Sequence, residues 1–346
     1  MNLKVLVTGG TGRIGANVVK QLAERGADLR CVVRPSTDRL HKLEQFGVEI
    51  VKVDLRNREG LSETVKGVDA IIHLGVKLRG PTNWEHLDIN IAPTLTLLEA
   101  ARTLNPNLQR FVYGSSDVLY PHTGYMPNLI AKADIFTSPT GMYAVSKIAG
   151  EAIVQSYHRQ YGIPTVSLTI PYTFCGREFL GERVDQISPL LESHIKDLQR
   201  RSPSPDGARC LTELRNQYAS GVRLVVPLCP EGPAFKRHLG DVRDVAAACV
   251  RALHAETAIG GAFIIMSHPF RFDEAVPHLA RVSGMAYAEV RFPFAEFYEY
   301  DVQDTMDRLG FVAQYDGKRM LEDAWRHKQG EDIGVVDVGP DTATDS

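Results

Sequence analysis

The apolar run Leu3-Lys4-Val5-Leu6-Val7 leads directly into Thr8-Gly9-Gly10-Thr11-Gly12-Arg13-Ile14-Gly15, and no other stretch of the 346 residues limits the fold so tightly. A short buried strand feeding a glycine-rich turn that opens a helix is a way of holding a dinucleotide pyrophosphate. Gly9, Gly12 and Gly15 let the chain turn sharply, approach the phosphates and pack the helix on the strand. The helix N-terminus then offers unpaired N–H groups and a partial positive charge to the anion. The surrounding pattern supports this reading over an ordinary strand–turn–helix corner. Ile14, Val18 and Leu22 recur on one helix face, and Gly26 is placed to end the helix. Thr11, Arg13 and Ile14 join the glycines as candidate cofactor contacts.

Behind this turn, strand-like segments at 3–8, 28–34, 48–53, 69–74, 109–115 and 164–170 alternate with helical patterns at about 13–26, 37–46, 57–66, 84–104 and 141–161. Near-continuous Val, Ile and Leu in the strands indicates a parallel sheet covered on both faces. The expected fold class is α/β: a Rossmann-type doubly wound parallel sheet with a smaller, mostly α C-terminal substrate lobe. The expected domains are 1–175 plus about 237–266 for the dinucleotide-binding part, and 176–236 with 267–330 for the lobe. Thr140 is a candidate cap for the helix at 141–161, which Gly162 and Pro164 end. Residues 331–346 hold five acidic and no basic side chains without periodicity, so a flexible acidic tail is expected.

A net charge of −3 argues against nucleic acid or an anionic membrane as partner. Five scattered cysteines, none in a C-x-x-C pair, fit a reducing compartment rather than a disulfide framework or zinc site. His194, His238 and His268 have no metal-ligand spacing, and no metal is expected. No apolar stretch approaches the roughly 20 residues of a membrane helix. The first strand leaves no space for a signal peptide, so a cytoplasmic location is expected.

The cofactor site needs a second half. Asp54, followed by Leu55, ends the third strand, where its carboxylate either accepts from an adenine amino group or caps the next helix. The second strand ends Cys31-Val32-Val33-Arg34-Pro35. An acid at that point bonds a ribose 2′-hydroxyl, whereas the Arg34 guanidinium suits a 2′-phosphate dianion, with Arg13 and Arg39 assisting. NADP(H) is therefore the expected cofactor and NAD the alternative; a solvated strand-end charge is the plain reading of Arg34. Leu74, Gly75 and Pro171, at later strand ends, complete the candidate contacts. Tyr143 and Lys147 lie one helical turn apart on one face, where an ammonium moves a phenol's pKa toward the working range. The Ser115-Ser116 pair adds a hydroxyl that orients a substrate oxygen.

Thr8 to Gly15, Phe111-Val112-Tyr113-Gly114-Ser115-Ser116 and Tyr143 to Lys147 with Gly150-Glu151 resemble the extended short-chain dehydrogenase/reductases, the NAD(P)-dependent epimerase/dehydratase superfamily. Asn90 and Leu97-Leu98-Glu99-Ala100-Ala101 match that family's fourth helix, and Arg237 to Val245 resembles its C-terminal signature. The resemblance implies a Ser–Tyr–Lys mechanism. Counting back from Tyr120 selects Ser116 over Ser115, with Tyr143 as acid/base and Lys147 as its activator. It also implies a contact from Asn90 in the cofactor site and a homodimer built from the helices at 84–104 and 141–161. Asp117 resembles the acid of sugar-nucleotide dehydratases, but their glutamate is Val118 here; a turn residue or a substrate-hydroxyl contact remains for Asp117. Tyr120-Pro121 replaces the family's Tyr-Gly, and Ile170-Pro171 its Arg-Pro. Arg237 matches an arginine that anchors the diphosphate of nucleotide sugars, yet Arg183-Val184-Asp185-Gln186 does not match the family's nucleotide contact.

The leading expectation is an NADP(H)-dependent oxidoreductase interconverting a ketone and a secondary alcohol on a polar, sugar-like small molecule. A nucleotide-sugar epimerase using NAD is the alternative. A non-catalytic dinucleotide-sensing regulator comes third, because a sensor has no need of an activated phenol.

Overall fold

The computed structural model describes residues 3–78, 82–120, 123–131, 137, 139–181, 187–200, 204–266 and 268–337. Seven strands form the main sheet: β1 (Lys4–Thr8), β2 (Asp28–Val33), β3 (Glu49–Lys52), β4 (Ala70–His73), β5 (Arg110–Ser116), β6 (Thr165–Ile170) and β7 (Ala262–Ile264). Their spatial order is β7-β6-β5-β4-β1-β2-β3, and every neighbouring pair is parallel. The chain reverses its winding direction between β1 and β4, which opens a crevice at the C-terminal ends of the strands.

Alternation along β1 shows how the sheet is clothed. Val5 and Val7 face one side, packing in a cluster with Val18 and Leu22 of α1 (Arg13–Glu24). Leu6 faces the other and shares a cluster with Leu97, Leu98 and Ala101 of α2 (Ala92–Leu104). All three β1 side chains are buried completely, worth roughly 1.5–3 kcal/mol each. The long helix α3 (Met142–Tyr161) flanks β5, and α4 (Val242–Ala252) packs beside α1. Gly162 closes α3 in the left-handed region at φ 72°, as its position requires. The expected Thr140 cap is corrected: Gly141 occupies the N-cap at φ 90°, and no side chain caps the helix.

The lobe has its own apolar cluster, centred on Phe235, Phe270, Phe272 and Phe292. It carries helices at Leu191–Arg200, Pro205–Ala219, Phe272–Ser283 and Gly317–Lys328, with a small sheet ordered 269–271, 236–238, 296–297 and 124–125.

The expectation of a flexible tail from Glu331 is corrected for residues 331–337. Asn17 on α1 accepts from the Val336 N–H at 2.8 Å and donates to the Val336 carbonyl at 3.1 Å, replacing the strand partner this segment lacks. Lys20 donates to the Gly334 carbonyl, Arg243 donates to that of Ile333, and Arg177 pairs with Asp337. Polar side chains far off in sequence thus hold a segment that has no periodicity of its own. Residues 338–346 lie outside the described residues.

Candidate active site

The glycine turn forms one wall of a cleft of about 660 Å³. Gly9 adopts φ 74°, and a Cβ there would come within 2.9 Å of the Gly75 nitrogen. A Cβ on Gly15 would lie 2.0 Å from the Gly9 carbonyl oxygen. The turn therefore exists only as glycine. No side chain caps α1 and no acid sits in its first turn, so its N–H groups face the cleft without internal competition. Gly9, Thr11, Gly12, Arg13, Ile14, Gly15, Arg34, Asp54, Leu55, Leu74, Gly75 and Pro171 all line this cleft, as do Ser116, Asp117, Tyr143, Lys147 and Arg237. The pyrophosphate-sized cradle and the adjoining polar wall fit a dinucleotide.

Three of the expected cofactor contacts differ in detail. Asn90 does not line the cleft; its neighbour Ile89 does. Asn90 is 3% exposed and lies in a π-helical turn. It accepts from the Lys77 N–H at 2.9 Å and donates to the Lys77 carbonyl at 3.1 Å, with Ser146 of α3 at 3.2 Å. Its part is to brace the loop after β4. The Arg13 guanidinium lines the cleft and is engaged through Nη2 by Glu178, a carboxylate whose pKa burial raises. Asp54 is chelated by Arg56 through two bonds of 2.8 and 2.7 Å, which holds its carboxyl down at about 2. The next helix is capped by Asn57 rather than Asp54.

Lys42 is a residue the sequence reading missed. It is only 5% exposed and lines the cleft with Arg34 and Arg39. Burial, and then Arg39, lowers its pKa. The signal lay in the helical pattern at 37–46, which shortens to His41–Glu44 and still presents Lys42 inward.

The reacting groups meet at the ends of β5 and α3. Ser116 Oγ hydrogen-bonds the Tyr143 phenol and also accepts from the Val118 N–H at 3.3 Å. Ser115 is buried on the same wall, and its Oγ has no hydrogen-bond partner among the described residues. Lys147 donates to the Gly114 carbonyl at 2.7 Å and sits 5.2 Å from the Tyr113 ring centre and 6.0 Å from that of Tyr143. Burial lowers its pKa to about 8, against a small opposing effect of Glu151. The expected lowering of the phenol by Lys147 is corrected. Burial pushes Tyr143 up to about 12, and Ser116 is the group that opposes it. Asp117 accepts from the Tyr172 N–H at 3.1 Å, tying β5 to the segment after β6.

Beneath the cleft floor runs a buried relay that sequence reasoning did not find. Gly75 N–H donates to Thr8 Oγ1 at 3.0 Å, and Thr8 meets His73 Nδ1 at 2.7 Å. His73 Nε2 meets Thr94 at 3.1 Å, and Thr94 donates to the Asn90 carbonyl at 3.3 Å. A neutral imidazole, accepting at Nδ1 and donating at Nε2, satisfies every link. Burial accordingly holds its pKa down at about 3.

Arg237, expected at the start of the second dinucleotide-binding segment, sits instead on the strand at 236–238 in the lobe's small sheet; it reaches the cleft wall from there and is ion-paired to the fully buried Glu296.

With this geometry in place, a family profile described as "NAD dependent epimerase/dehydratase family" matches residues 5–265. The chain belongs to that family. Among curated members it is 28% identical over 198 residues to L-arabinose 1-dehydrogenase (NAD(P)(+)) of Haloferax volcanii, covering 53% of this chain and 72% of that one. It is 27% identical over 201 residues to CDP-paratose 2-epimerase of Salmonella typhi, covering 51% and 59%. The chain spans only 34% to 63% of the length of the first curated members it matches. Among solved structures, a short-chain dehydrogenase/reductase superfamily protein from Agrobacterium tumefaciens with bound NAD has TM-score 0.78 and 27% identity over 94% of this chain and 98% of that one. UDP-glucuronic acid 4-epimerase from Bacillus cereus in complex with NAD has TM-score 0.68 over 94% and 99%; at 19% identity it shares the fold. Among the described residues no helix is long and apolar enough to cross a membrane.

Proposed function

We propose that this member of the family catalyses NADP(H)-dependent interconversion of a ketone and a secondary alcohol on a polar, sugar-like substrate, exchanging its cofactor at each turnover. The observation that carries the reading is the Ser116–Tyr143 hydrogen bond on the wall of a cleft closed by the glycine turn. A bound nicotinamide supplies or accepts hydride. Tyr143 gives a proton to the carbinol oxygen in reduction and withdraws it in oxidation, while the Ser116 hydroxyl holds that oxygen in place. Lys147, fixed to the Gly114 carbonyl on the same wall, would hold the ribose of the bound nicotinamide, and Ser116 is the group that favours the phenolate.

The choice of NADP(H) is supported by Arg34 at the end of β2, with Arg39 and Lys42 lining the same cleft and no acid in Val32-Val33-Arg34-Pro35; the nearby Asp54 is held by Arg56. Such a group of cations matches a phosphate dianion better than a ribose hydroxyl. Epimerisation is the second reading. It is favoured by the epimerases among the relatives, and it differs in retaining its cofactor through both half-reactions.

Tyr143→Phe tests the proposal. Turnover should fall by about 10²–10⁴-fold, the usual worth of a positioned acid/base. NADPH affinity, read by fluorescence titration, should stay within about twofold. A variant retaining full turnover would remove Tyr143 from the chemistry.

A further inference from the structure

The catalytic end of the cleft has a charge distribution that bears on the substrate. Arg237 lies on the strand at 236–238, is 5% exposed and lines the wall; Glu296, on the neighbouring strand at 296–297, is 0% exposed and pairs with it. Lys77, which also lines the cleft, has Glu85 at 3.8 Å. Asp117 adds a carboxylate close to Ser116. The arginine's charge is therefore already answered from within the protein.

We propose that Glu296 is a specificity determinant: it occupies, as a built-in anion, the electrostatic place that a substrate diphosphate would take at Arg237. The substrate is then an uncharged, hydroxylated molecule such as a free sugar or cyclic polyol, not a nucleoside-diphosphate sugar. This rests on the oxidoreductase reading given above and deepens it.

Two physical points carry the proposal. Glu296 balances the arginine's charge through Nη1 and is fully enclosed, so a diphosphate arriving at Arg237 would meet no net positive charge and would set its own negative charge beside a buried carboxylate. Like charges brought together at a buried site, or separation of the buried pair, disfavour such a ligand by roughly 100-fold or more. The wall is also rich in groups that recognise hydroxyls. The Asp117 carboxylate is an acceptor, and Ser115 Oγ is 3% exposed with no hydrogen-bond partner among the described residues. A neutral polyol would give Ser115 Oγ a partner and offer a further hydroxyl to Asp117, without bringing in charge. On this proposal Arg237 balances Glu296 instead of anchoring a diphosphate.

The test is calorimetric titration of UDP into the full-length protein saturated with NADP⁺, beside NADP⁺ reduction followed at 340 nm with free aldoses and cyclic polyols. The proposal expects no UDP binding tighter than about 1 mM and turnover of at least one uncharged sugar or polyol. A UDP dissociation constant below about 100 μM overturns it, as does turnover confined to UDP-sugars. Glu296→Gln should uncover Arg237 and strengthen UDP binding at least tenfold; a folded variant with unchanged affinity also overturns it. If that variant does not fold, the wild-type titration decides alone. An NADPH titration in the same samples separates the two levels. NADPH binding together with UDP binding removes only this inference, whereas absence of NADPH binding removes the oxidoreductase reading beneath it.

Discussion

On the NADP(H) reading proposed above, cofactor choice rests on single residues around Arg34. Replacing the guanidinium by a carboxylate would then exchange a phosphate partner for a ribose-hydroxyl partner. Arg34→Asp should shift the ratio of kcat/KM for NADPH over NADH by more than tenfold toward NADH, equivalent to at least about 1.4 kcal/mol. An unchanged ratio would show that Arg34 does not read the 2′-phosphate. The chain itself revealed much at this scale. The four-residue spacing to Tyr120 singled out Ser116, and Ser116 is the serine that bonds Tyr143. What it concealed were partners distant in sequence. Glu178 engages Arg13 across 165 residues, and Glu296 engages Arg237 across 59. No local pattern announces such pairs, because they are set by how the lobe folds back on the sheet. The Tyr143 phenol was misjudged for a related reason: spacing placed an ammonium nearby, but burial, which spacing does not report, dominates its pKa.

At the scale of elements, the main sheet was legible because most of its strands are apolar runs; β3, Glu-Ile-Val-Lys at the sheet edge, is largely exposed. The first six strands fall on the segments read from the sequence, and β7 on the apolar run Ala262 to Met266. The buried relay through His73 was not legible, since it joins β1, β4 and α2 through residues that read as ordinary strand and helix positions. It does make a prediction. His73 and His238 are both held neutral, with pKa values near 3, by burial. Between pH 6.5 and 3 the unfolded chain binds protons that the folded one refuses, so stability is complete above about 6.5 and declines as pH falls. Each histidine contributes a slope of up to about 1.4 kcal/mol per pH unit in that window. Urea unfolding from pH 7 to 4 should give a shallower decline for His73→Asn than for wild type. Equal slopes would mean that His73 titrates normally in the folded protein. The docked segment 331–337 belongs to this scale too: it has no secondary structure of its own, and Asn17 gives it a place by satisfying both polar groups of Val336.

For the whole molecule, α2 and α3 pack side by side and leave Leu95, Leu104, Val145 and Tyr161 exposed. We propose that a second copy covers this face, pairing the two helices with their equivalents. Light scattering after size exclusion should return twice the chain mass, and Val145→Asp should halve it; a monomeric wild type would refute the pairing. Sequence set out the main sheet well, because its parallel strands are near-continuous apolar runs. It said little of the lobe, whose core is assembled from Phe235, Phe270, Phe272 and Phe292 on short, separate pieces. That lobe supplies Arg237, on which the proposed preference for an uncharged substrate rests. The account as a whole turns on a cofactor that comes and goes. Its most direct measurement is chromatographic identification of the nucleotide released when freshly purified protein is heat-denatured. Little nucleotide, or traces of NADP, is the predicted result and marks an exchanging oxidoreductase. Near-stoichiometric NAD would contradict it, making epimerisation with a retained cofactor the activity and removing Arg34 as a reader of phosphate.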